Sequence, residues 1–387
     1  MRRWVLLLII TVVACSEKHG TSVESRKSRP EPLVIGEYAA MTGAQASFGE
    51  AMNNGIQLAL AQLNARGGVR GQQVRVVVED DQSKAEEAAT AVTKLITRDN
   101  VLAILGEAAS SNSLAGAPIC QANRVPMITP ISTNPEVTKR GDHIFRICFI
   151  DPYQGEALAG YVLDTLHMKR AAILVDAKSD YSTGLAEFFT RTFVERGGVI
   201  TKRLAYSSGD ADFRAQLTTL RAGKPDLIFL PGYYTDVGQI ISQARDLGIS
   251  QPFVGGDGWE SPKLFEIGGK ALNGCFYSNH YFVDDPAPEI REFQSRYKQK
   301  YGAVPDSFAA LAYDAANVLF EAMKRAKTSD RAVLRSELAR TSNFSGVTGV
   351  ITLGPDRNPV RKKLVVLEIQ DGRVGLKGTV QSNKPKT

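Results

Sequence analysis

Residues 56–78 read IQLALAQLNARGGVRGQQVRVVV and contain the end of one structural element and the start of the next. Ile56, Leu60 and Leu63 recur at helical spacing, and the two glycines that follow suit a left-handed helix C-cap. Residues 74–78 are rich in β-branched side chains, which is typical of a buried strand. A helix that passes through a glycine turn into a buried strand indicates an α/β fold.

The same alternation of strand and helix continues on both sides of this stretch. In the first part of the chain, strand patterns occupy residues 33–36, 102–105 and 125–129, and helical patterns occupy residues 49–66 and 83–97. After Ile150, strands are predicted at 171–175, 199–204, 227–230 and 253–254, and helices at 154–166, 184–196, 213–220 and 237–247. Strands joined by helices at such short spacing predict parallel sheets with helices on both faces. We therefore predict an α/β protein of two doubly wound parallel-sheet lobes.

The last part of the chain adds helices and only two short strands. The helices are predicted at 288–301, 307–325 and 330–340, and the strands at 349–353 and 363–369. These strands are too few for a third domain, so we expect the late elements to complete the first two lobes. The predicted first lobe is 33–149 with 279–330, the second is 150–278 with 331–370, and residues 371–387 form a polar tail.

The composition fits a large folded protein. Of 387 residues, 43% are hydrophobic and 23% are charged, which suits two domains of roughly 100–200 residues and excludes intrinsic disorder. The 47 basic and 41 acidic side chains give a mild formal net charge of +6, and the basic residues are scattered, so we expect no nucleic-acid partner. Four cysteines are too few for a disulfide scaffold, and four histidines leave little material for a histidine-built metal site.

The first fifteen residues have the pattern of an export signal. Arg2 and Arg3 precede an apolar run of about ten residues, too short to span a bilayer, that ends at Ala14 and Cys15. A small residue before a cysteine resembles the cleavage site of bacterial lipoproteins. This pattern predicts a lipoprotein signal peptide over residues 1–14, with Cys15 lipidated and attached to a membrane. An ordinary signal peptide with an incidental cysteine is the alternative.

Residues 15–32 are polar and contain little apolar material. Such a composition predicts a flexible tether. As a coil it would span roughly 20–25 Å, which is enough to hold a folded body off a membrane surface.

Polar loops follow the predicted strands. They occupy residues 106–113, 129–134, 176–181, 231–234 and 256–257. In open α/β sheets, ligands bind beyond the carboxyl ends of the strands. Two lobes that face each other with these loops would enclose a polar cleft.

The motifs of common enzyme classes are missing from the sequence. No Gly-x-Gly-x-x-Gly follows the first strand, and no Walker A, Gly-x-Ser-x-Gly or His-Glu-x-x-His sequence is found. His143, His167 and His280 are isolated. The acidic run of residues 79–81 has no second acidic cluster to support it, so a solvated strand end is favoured over a metal site. We expect no enzymatic activity, no cofactor and no metal.

Three cysteines, Cys120, Cys148 and Cys275, belong to the predicted folded body. The interval between the first two is far too wide for a Cys-x-x-Cys redox pair. If the protein is exported, the sequence allows one disulfide between two of these three cysteines. Free buried cysteines are the favoured alternative.

Several short motifs occur in an order and spacing that chance does not readily explain. They stand as Met41-Thr42-Gly43 with Phe48-Gly49, residues 64–71, Asp80-Asp81, Ser110-Ser111, residues 129–135, Phe145-Arg146 with residues 151–155, Asp180-Tyr181 and Gly232-Tyr233. Together they resemble the branched-chain amino-acid (Leu/Ile/Val) binding family, type I periplasmic binding proteins of ABC transporters. The resemblance runs from about residue 33 to residue 369. It implies two lobes joined by a hinge, ABC permease subunits as partners, a monomer, and a location at the periplasmic or outer face of a bacterial membrane.

The resemblance also implies roles for residues around the cleft. Ser110 aligns with a serine that donates to the ligand carboxylate at the start of a helix, although it could equally be an N-cap. Thr133 aligns with the threonine that contacts both the carboxylate and the ammonium group, and the carbonyl of Ile131 would accept from the ammonium group. Tyr181 and Tyr233, from the second lobe, would close over the ligand.

Asp257 aligns with the family's acidic residue that pairs with the ligand's ammonium group. The Leu/Ile/Val protein has glutamate there, and the shorter aspartate of this sequence keeps the charge but moves the carboxylate. A turn residue between two glycines is the alternative. The departure leaves the identity of the ligand open.

Phe48, Ala108 and Phe308 would line the pocket for the ligand's side chain, with Trp259 as a further candidate. Aromatic walls suit an aliphatic or otherwise apolar side chain, although Phe308 could equally be a core residue of its helix. The predicted function is capture of such an amino acid and its delivery to an ABC importer. The alternatives are a binding or sensor protein of the same fold for an amide, a urea-like compound or an aromatic acid.

Overall fold

The computed structural model describes residues 31–381 together with Met1. Apart from Met1, the predicted signal peptide over residues 1–14 lies outside the described residues, as do Cys15, most of the predicted tether and residues 382–387. In the described part of the chain, no helix has both the length and the apolar character needed to cross a membrane.

Five parallel strands form the first sheet, in the order β2-β1-β3-β4-β5. The strands are β1 (Leu33–Ala39), β2 (Val74–Asp80), β3 (Ile104–Leu105), β4 (Met127–Thr129) and β5 (Ile144–Arg146). The helices between and after them are α1 (Ala46–Ala65), α2 (Ala85–Thr97), α3 (Ser110–Ala122) and α4 (Glu136–Lys139). The central strands β3 and β4 are fully buried, as expected where helices cover both faces of a parallel sheet.

Seven strands form the second sheet, in the order β14-β13-β10-β9-β8-β6-β7. The strands are β6 (Arg170–Asp176), β7 (Val199–Tyr206), β8 (Leu227–Phe229), β9 (Phe253–Gly255), β10 (Cys275–Asn279), β13 (Lys363–Gln370) and β14 (Arg373–Gln381). The first five run parallel, and the last two add antiparallel at one edge. The helices are α5 (Asp151–Asp164), α6 (Asp180–Glu195), α7 (Arg214–Ala222), α8 (Tyr234–Asp246) and α9 (Pro262–Gly268). The predicted α/β fold with two parallel-sheet lobes is confirmed.

Three further helices and a small hairpin pack on the first lobe. They are α10 (Pro288–Tyr301), α11 (Ser307–Ala326), α12 (Arg331–Ala339), β11 (Phe344–Gly346) and β12 (Gly349–Ile351). Helix α11 crosses α1 so closely that a Cβ on Gly55 would come 2.2 Å from the carbonyl oxygen of Ala309. The carboxylate of Asp314 on α11 accepts from the amides of Val347 and Thr348, each at 2.8 Å, and so ties the hairpin to this helix.

Two predicted boundaries are wrong. Residues 331–370 were expected in the second lobe, but the Arg331 guanidinium of α12 donates to the carbonyl of Val101 in the first lobe at 2.8 Å. Only β13, at the end of that range, joins the second sheet. The predicted polar tail also contains a strand, because β14 pairs with β13 along its whole length. Its glycines and lysine obscure the pattern, yet Val374 and Val380 pack against buried apolar residues.

The chain passes between the two lobes three times. These crossings follow β5, β10 and β12, and they contain Phe149, His280 and Lys362 respectively. The rings of Phe149 and His280 stack with 3.9 Å between their centroids. The charge of Lys362 acts on both Cys148 and His280, so this residue lies close to the other two crossings. The three crossings therefore meet on one side of the molecule.

The three cysteines of the described chain are free and buried. Burial raises the pKa of each thiol, and it raises the pKa of Cys148 to about 12. Thiols held in this way are unreactive at neutral pH. The disulfide that the sequence left open is not formed.

Candidate functional site

A small cavity lies between the lobes, beyond the carboxyl ends of the strands of both sheets. It is lined by Phe48, Ala108, Ser110, Ile131, Thr133, Tyr181, Tyr233, Asp257, Gly258 and Phe308. The nine residues predicted as ligand contacts are all in this lining, Gly258 is added, and the further candidate Trp259 is absent from it. The expectation for Trp259 is therefore wrong: its ring is buried and its Nε1 donates to the carbonyl of Leu230 at 3.0 Å.

Ser110 is the first residue of α3. The N-cap position belongs to Ala109 and has no side-chain hydrogen bond, so Ser110 is not the N-cap. The Oγ of Ser110 instead accepts from the amide of Asn134 at 3.2 Å, which leaves its proton available to a ligand. Amides in the first turn of a helix have no acceptor within the helix, and the helix dipole favours an anion there.

The cavity-lining loop after β4 is held from behind by Arg146. This side chain is fully buried, and two of its nitrogen atoms donate to the carbonyls of Ser132 and Asn134 at 2.6 and 2.7 Å. Its Nε donates to Oδ1 of Asn358, in the third crossing, at 3.0 Å. The two cavity residues of this loop cannot shift without breaking these bonds. In the sequence, Arg146 belongs to the Phe145-Arg146 motif of the family resemblance, but the motif indicates no role for its side chain.

Asp257 is 2% exposed, and its carboxylate has three hydrogen-bond partners. Oδ1 accepts from Nε2 of Gln154 at 2.7 Å and from the hydroxyl of Tyr181 at 3.0 Å. Oδ2 lies 3.0 Å from Nε2 of His280. None of these partners belongs to its own turn, so the turn interpretation does not account for the side chain. In the sequence, Gln154 stands within the motif of residues 151–155 and His280 is isolated, so neither is predicted to contact Asp257.

The glycines on both sides of Asp257 allow Tyr181 to come close. A Cβ on Gly256 would lie 2.2 Å from the hydroxyl oxygen of Tyr181, and one on Gly258 would lie 2.9 Å from its ring. The amide of Gly258 also donates to that hydroxyl at 3.1 Å. The Gly-Asp-Gly sequence therefore fits the approach of this tyrosine.

Aromatic rings from both lobes form one wall of the cavity. Tyr181 and Tyr233 stack with 5.2 Å between centroids. Phe48 of the first lobe meets Tyr233 edge-on at 5.6 Å and Phe308 at 4.7 Å. Phe308 is 1% exposed, so it both lines the cavity and belongs to the core.

The lobes touch each other around the cavity. Hydrogen bonds between the lobes include those from Asn134 Nδ2 to Asp180 O at 2.8 Å, from Asp180 N to Ser111 Oγ at 3.0 Å, from Thr235 Oγ1 to Ala44 O at 2.7 Å and from Ser261 Oγ to Ser47 Oγ at 2.8 Å. This is the closed arrangement of a two-lobed protein.

Glu107 precedes the cavity residue Ala108 and lies close to a second buried carboxyl group, that of Asp81. Glu107 accepts from the amides of Ala40 and Ala109. Burial and the nearby charge of Asp81 raise the pKa of Glu107 well above its usual range, and burial raises the pKa of Asp81 to about 7. These two groups therefore carry less negative charge at neutral pH than two ionised carboxyl groups would.

A larger, open groove of about 1540 Å³ lies elsewhere between the lobes and includes Glu50, Glu260 and Asp306. No predicted ligand contact lines it. The carboxylate of Glu260 is already paired, since it accepts from Tyr277 at 3.0 Å and Asn279 at 2.7 Å. Over residues 31–381, no group of three or more His, Cys, Asp or Glu side chains could hold a metal ion.

Comparisons with known proteins agree with one another. A family model described as periplasmic binding protein matches residues 32–373. Leu/Ile/Val-binding protein homolog 2 of Brucella abortus is 30% identical over 346 residues, which cover 89% of this chain and 92% of that protein. The crystal structure of the leucine-binding protein LivK from Thermotoga maritima superposes with a TM-score of 0.86 at 40% identity, covering 90% of this chain and 98% of that one. The structure of the branched-chain amino-acid transporter substrate-binding protein LivJ from Streptococcus pneumoniae, in complex with isoleucine, gives a TM-score of 0.86 at 33% identity, with coverage of 91% and 100%.

Proposed function

This chain belongs to the family of periplasmic binding proteins, and from that premise we propose that it captures an amino acid with an apolar side chain and delivers it to an ABC importer. The family implies a location outside the cytoplasm. Its relatives are substrate-binding proteins of ABC transporters and are not enzymes. The resemblance to Leu/Ile/Val-binding proteins is thereby confirmed. The proposal of a ligand and of its contacts is supported by the residues that line the cavity.

The observation that carries the proposal is the opposition of charges across the cavity. Asp257 brings a buried carboxylate from the second lobe, and Ser110 brings a hydroxyl and the N-terminus of α3 from the first. An amino acid is a zwitterion, so its ammonium group suits the carboxylate and its own carboxylate suits the helix N-terminus. A buried charge without a partner is costly, and a ligand that supplies the partner stabilises the closed form.

Two residues of the loop after β4 complete the polar end of the proposed site. The hydroxyl of Thr133 both donates and accepts, so it can serve the ligand's carboxylate and its ammonium group. The carbonyl of Ile131 accepts from the ammonium group. Tyr181 and Tyr233 then cover the ligand from the second lobe. These roles agree with the positions of all four residues in the cavity lining.

The other end of the cavity is apolar. Phe48, Ala108 and Phe308 suit an aliphatic side chain, such as those in the names of the Leu/Ile/Val-binding relatives. An aromatic acid brings no cation for Asp257, and an amide or urea-like compound brings donors but no charge. An aromatic acid, an amide or a urea-like compound is therefore a less favoured ligand than an apolar amino acid.

We also propose a lipid anchor at Cys15, a tether over residues 15–32, ABC permease subunits as partners and a monomer as the working form. The support for the anchor is the sequence pattern around Cys15. Metabolic labelling with a lipid precursor should mark the wild type and not Cys15→Ala. Equal labelling of the two would refute the anchor and leave the binding function unaffected.

Calorimetric titration with leucine, isoleucine and valine tests the proposed ligand class. Asp257→Asn should weaken binding by at least about a hundredfold, because an ammonium group without its counter-charge costs roughly 3–5 kcal/mol. The matched control is Asp236→Asn, a buried aspartate of the second lobe outside the cavity lining, which should bind as the wild type does. Absence of binding by the wild type, or wild-type affinity in Asp257→Asn, would contradict the proposal.

A further inference from the structure

His280 connects the crossings between the lobes to the carboxylate in the cavity. It is the first residue after β10 and is 1% exposed. Its ring stacks on Phe149 of the first crossing, with 3.9 Å between centroids and 21° between planes. Its Nε2 lies 3.0 Å from Oδ2 of Asp257. One buried side chain thus contacts both the connection between the lobes and the charged group of the proposed site.

The surroundings of His280 favour a neutral ring with its proton on Nε2. The other ring nitrogen, Nδ1, has no hydrogen-bond partner among the described residues, so a proton there would be a buried donor without an acceptor. The ammonium group of Lys362 disfavours a second positive charge nearby. Burial lowers the pKa of His280, although Asp257 opposes the shift. A neutral ring satisfies Asp257 only by donating from Nε2.

Asp257 and Lys362 are the charged groups that act directly on the ring. Asp151 acts on Asp257 in turn, and burial raises the pKa of Asp151 to about 8, so this carboxyl group is mainly protonated at pH 7. In residues 31–381, no lysine or arginine donates a hydrogen bond to Asp257: the buried Arg146, whose charge acts on Asp151, donates to backbone carbonyls instead.

All three donors to Asp257 are then uncharged: the amide of Gln154, the hydroxyl of Tyr181 and the neutral ring of His280. They fix the position of the carboxylate and leave its negative charge in place. An ammonium group that enters the cavity would balance that charge by direct contact. An imidazolium at His280 would balance it from within, and the cavity would then accept a carboxylic acid without an amino group as readily as an amino acid.

We propose that His280 is a positioning residue that determines the choice of ligand. As a neutral Nε2–H donor it holds Asp257 in place without neutralising the carboxylate, so the negative charge of Asp257 can pair with the ammonium group of an amino acid. This inference rests on the proposed function and deepens it. It names the residue that makes the cavity select a zwitterion over the corresponding simple acid.

The test compares His280→Gln with His280→Lys by calorimetric titration at pH 7. The probes are leucine and 4-methylpentanoate, which is leucine without its amino group. Glutamine Nε2 is as many bonds from Cα as histidine Nε2 and donates without a charge, whereas lysine donates with one. We expect His280→Gln to keep the wild-type preference for leucine within about threefold, and His280→Lys to reduce it by at least about tenfold, as expected for one neutralised charge.

Each outcome has a defined meaning. The role of His280 would be overturned if His280→Lys kept the wild-type preference for leucine over 4-methylpentanoate, or if His280→Gln lost it. Leucine binding by the wild type would uphold the proposed function in either case. An equal loss of affinity for both probes in His280→Lys would indicate a merely structural role and would also overturn the proposed role of His280 in ligand choice. A wild type that binds neither probe would overturn the proposed function and this inference with it.

The protonation state can be observed without any change in the cavity. Two-bond ¹H–¹⁵N correlation spectra of the labelled wild type distinguish a neutral imidazole from an imidazolium, and the signal of His280 is identified by its absence from His280→Gln. We expect the neutral Nε2–H pattern at pH 7. An imidazolium pattern at pH 7 would overturn the proposal even if His280→Lys failed to fold.

Discussion

The hydroxyl group of Tyr181 donates to Oδ1 of Asp257 at 3.0 Å and accepts from the amide of Gly258 at 3.1 Å. One phenol therefore bridges the carboxylate of the proposed site and the backbone of the loop that carries it. The residue expected to cover the ligand is also one that orients the ligand's counter-charge.

Tyr181→Phe should weaken leucine binding by about tenfold or more, because it removes a hydrogen bond to a charged group, a loss of roughly 1.5 kcal/mol or more. Calorimetric titration provides the measurement. Tyr206→Phe is the matched control, since it removes a buried hydroxyl that has no hydrogen-bond partner within the described residues. Equal affinities of Tyr181→Phe and the wild type would show that this bond does not orient Asp257.

Arg146→Lys should lower the free energy of unfolding by about 2–3 kcal/mol and weaken leucine binding as well. A lysine cannot reproduce the fork that contacts the carbonyls of Ser132 and Asn134, so buried acceptors lose their donor. Urea denaturation measures the first effect and calorimetry the second. The partly exposed Arg335→Lys should change stability by less than about 0.5 kcal/mol. A loss of stability without any loss of affinity would separate Arg146 from the site.

Asn134→Asp should oppose closure of the lobes. It replaces the amide that donates to the carbonyl of Asp180 with a carboxylate that repels it. We expect about tenfold weaker leucine binding, from roughly 1.4 kcal/mol, and a smaller ligand-induced decrease in the radius of gyration by X-ray scattering. Asn123→Asp changes an exposed amide that bonds only within α3 and its C-cap, and it should have neither effect. If both variants behave alike, the contact does not contribute to closure.

Glu37 should make the protein less stable as the pH rises. It lies fully buried on β1, neither of its carboxyl oxygens has a partner among the described residues, and burial raises its pKa from 4.5 to about 8. The folded protein keeps a proton that the unfolded chain releases, so the free energy of unfolding falls between about pH 4.5 and pH 8, by at most about 1.4 kcal/mol per pH unit.

Glu37→Leu removes this contribution. Urea denaturation at pH 5 and pH 8 should therefore give closer free energies of unfolding for Glu37→Leu than for the wild type. Glu86→Gln, at an exposed position of α2, should keep the wild-type difference. An unchanged difference in Glu37→Leu would mean that another group is responsible for the pH dependence.

The sequence was most informative where a pattern is long or a motif is ordered. The predicted helix over residues 288–301 matches α10 at both ends, because apolar spacing continues through four turns. The nine predicted ligand contacts line one cavity because each follows a strand or begins a helix, and parallel sheets collect such loops at one edge.

The elements that were missed have little periodicity of their own. β5 is three residues long, and β10 and β14 are defined by the neighbours that pair with them. The role of His280 cannot be predicted from the sequence for a related reason. A single polar side chain among apolar neighbours carries no spacing, and its function depends on groups that only the folded chain brings near.

The three crossings give the two lobes a single easy motion. One covalent connection would allow one lobe to rotate in any direction relative to the other. Two connections would still allow rotation about the line that joins the two connections. Three connections that meet on one side of the cleft resist sliding and twisting, and rotation about the axis that they define remains. Binding of a solute in the cavity between the lobes would thereby change the angle between two bodies. The binding of a partner that contacts both lobes at once would therefore depend on this angle, and the partner would need no contact with the solute.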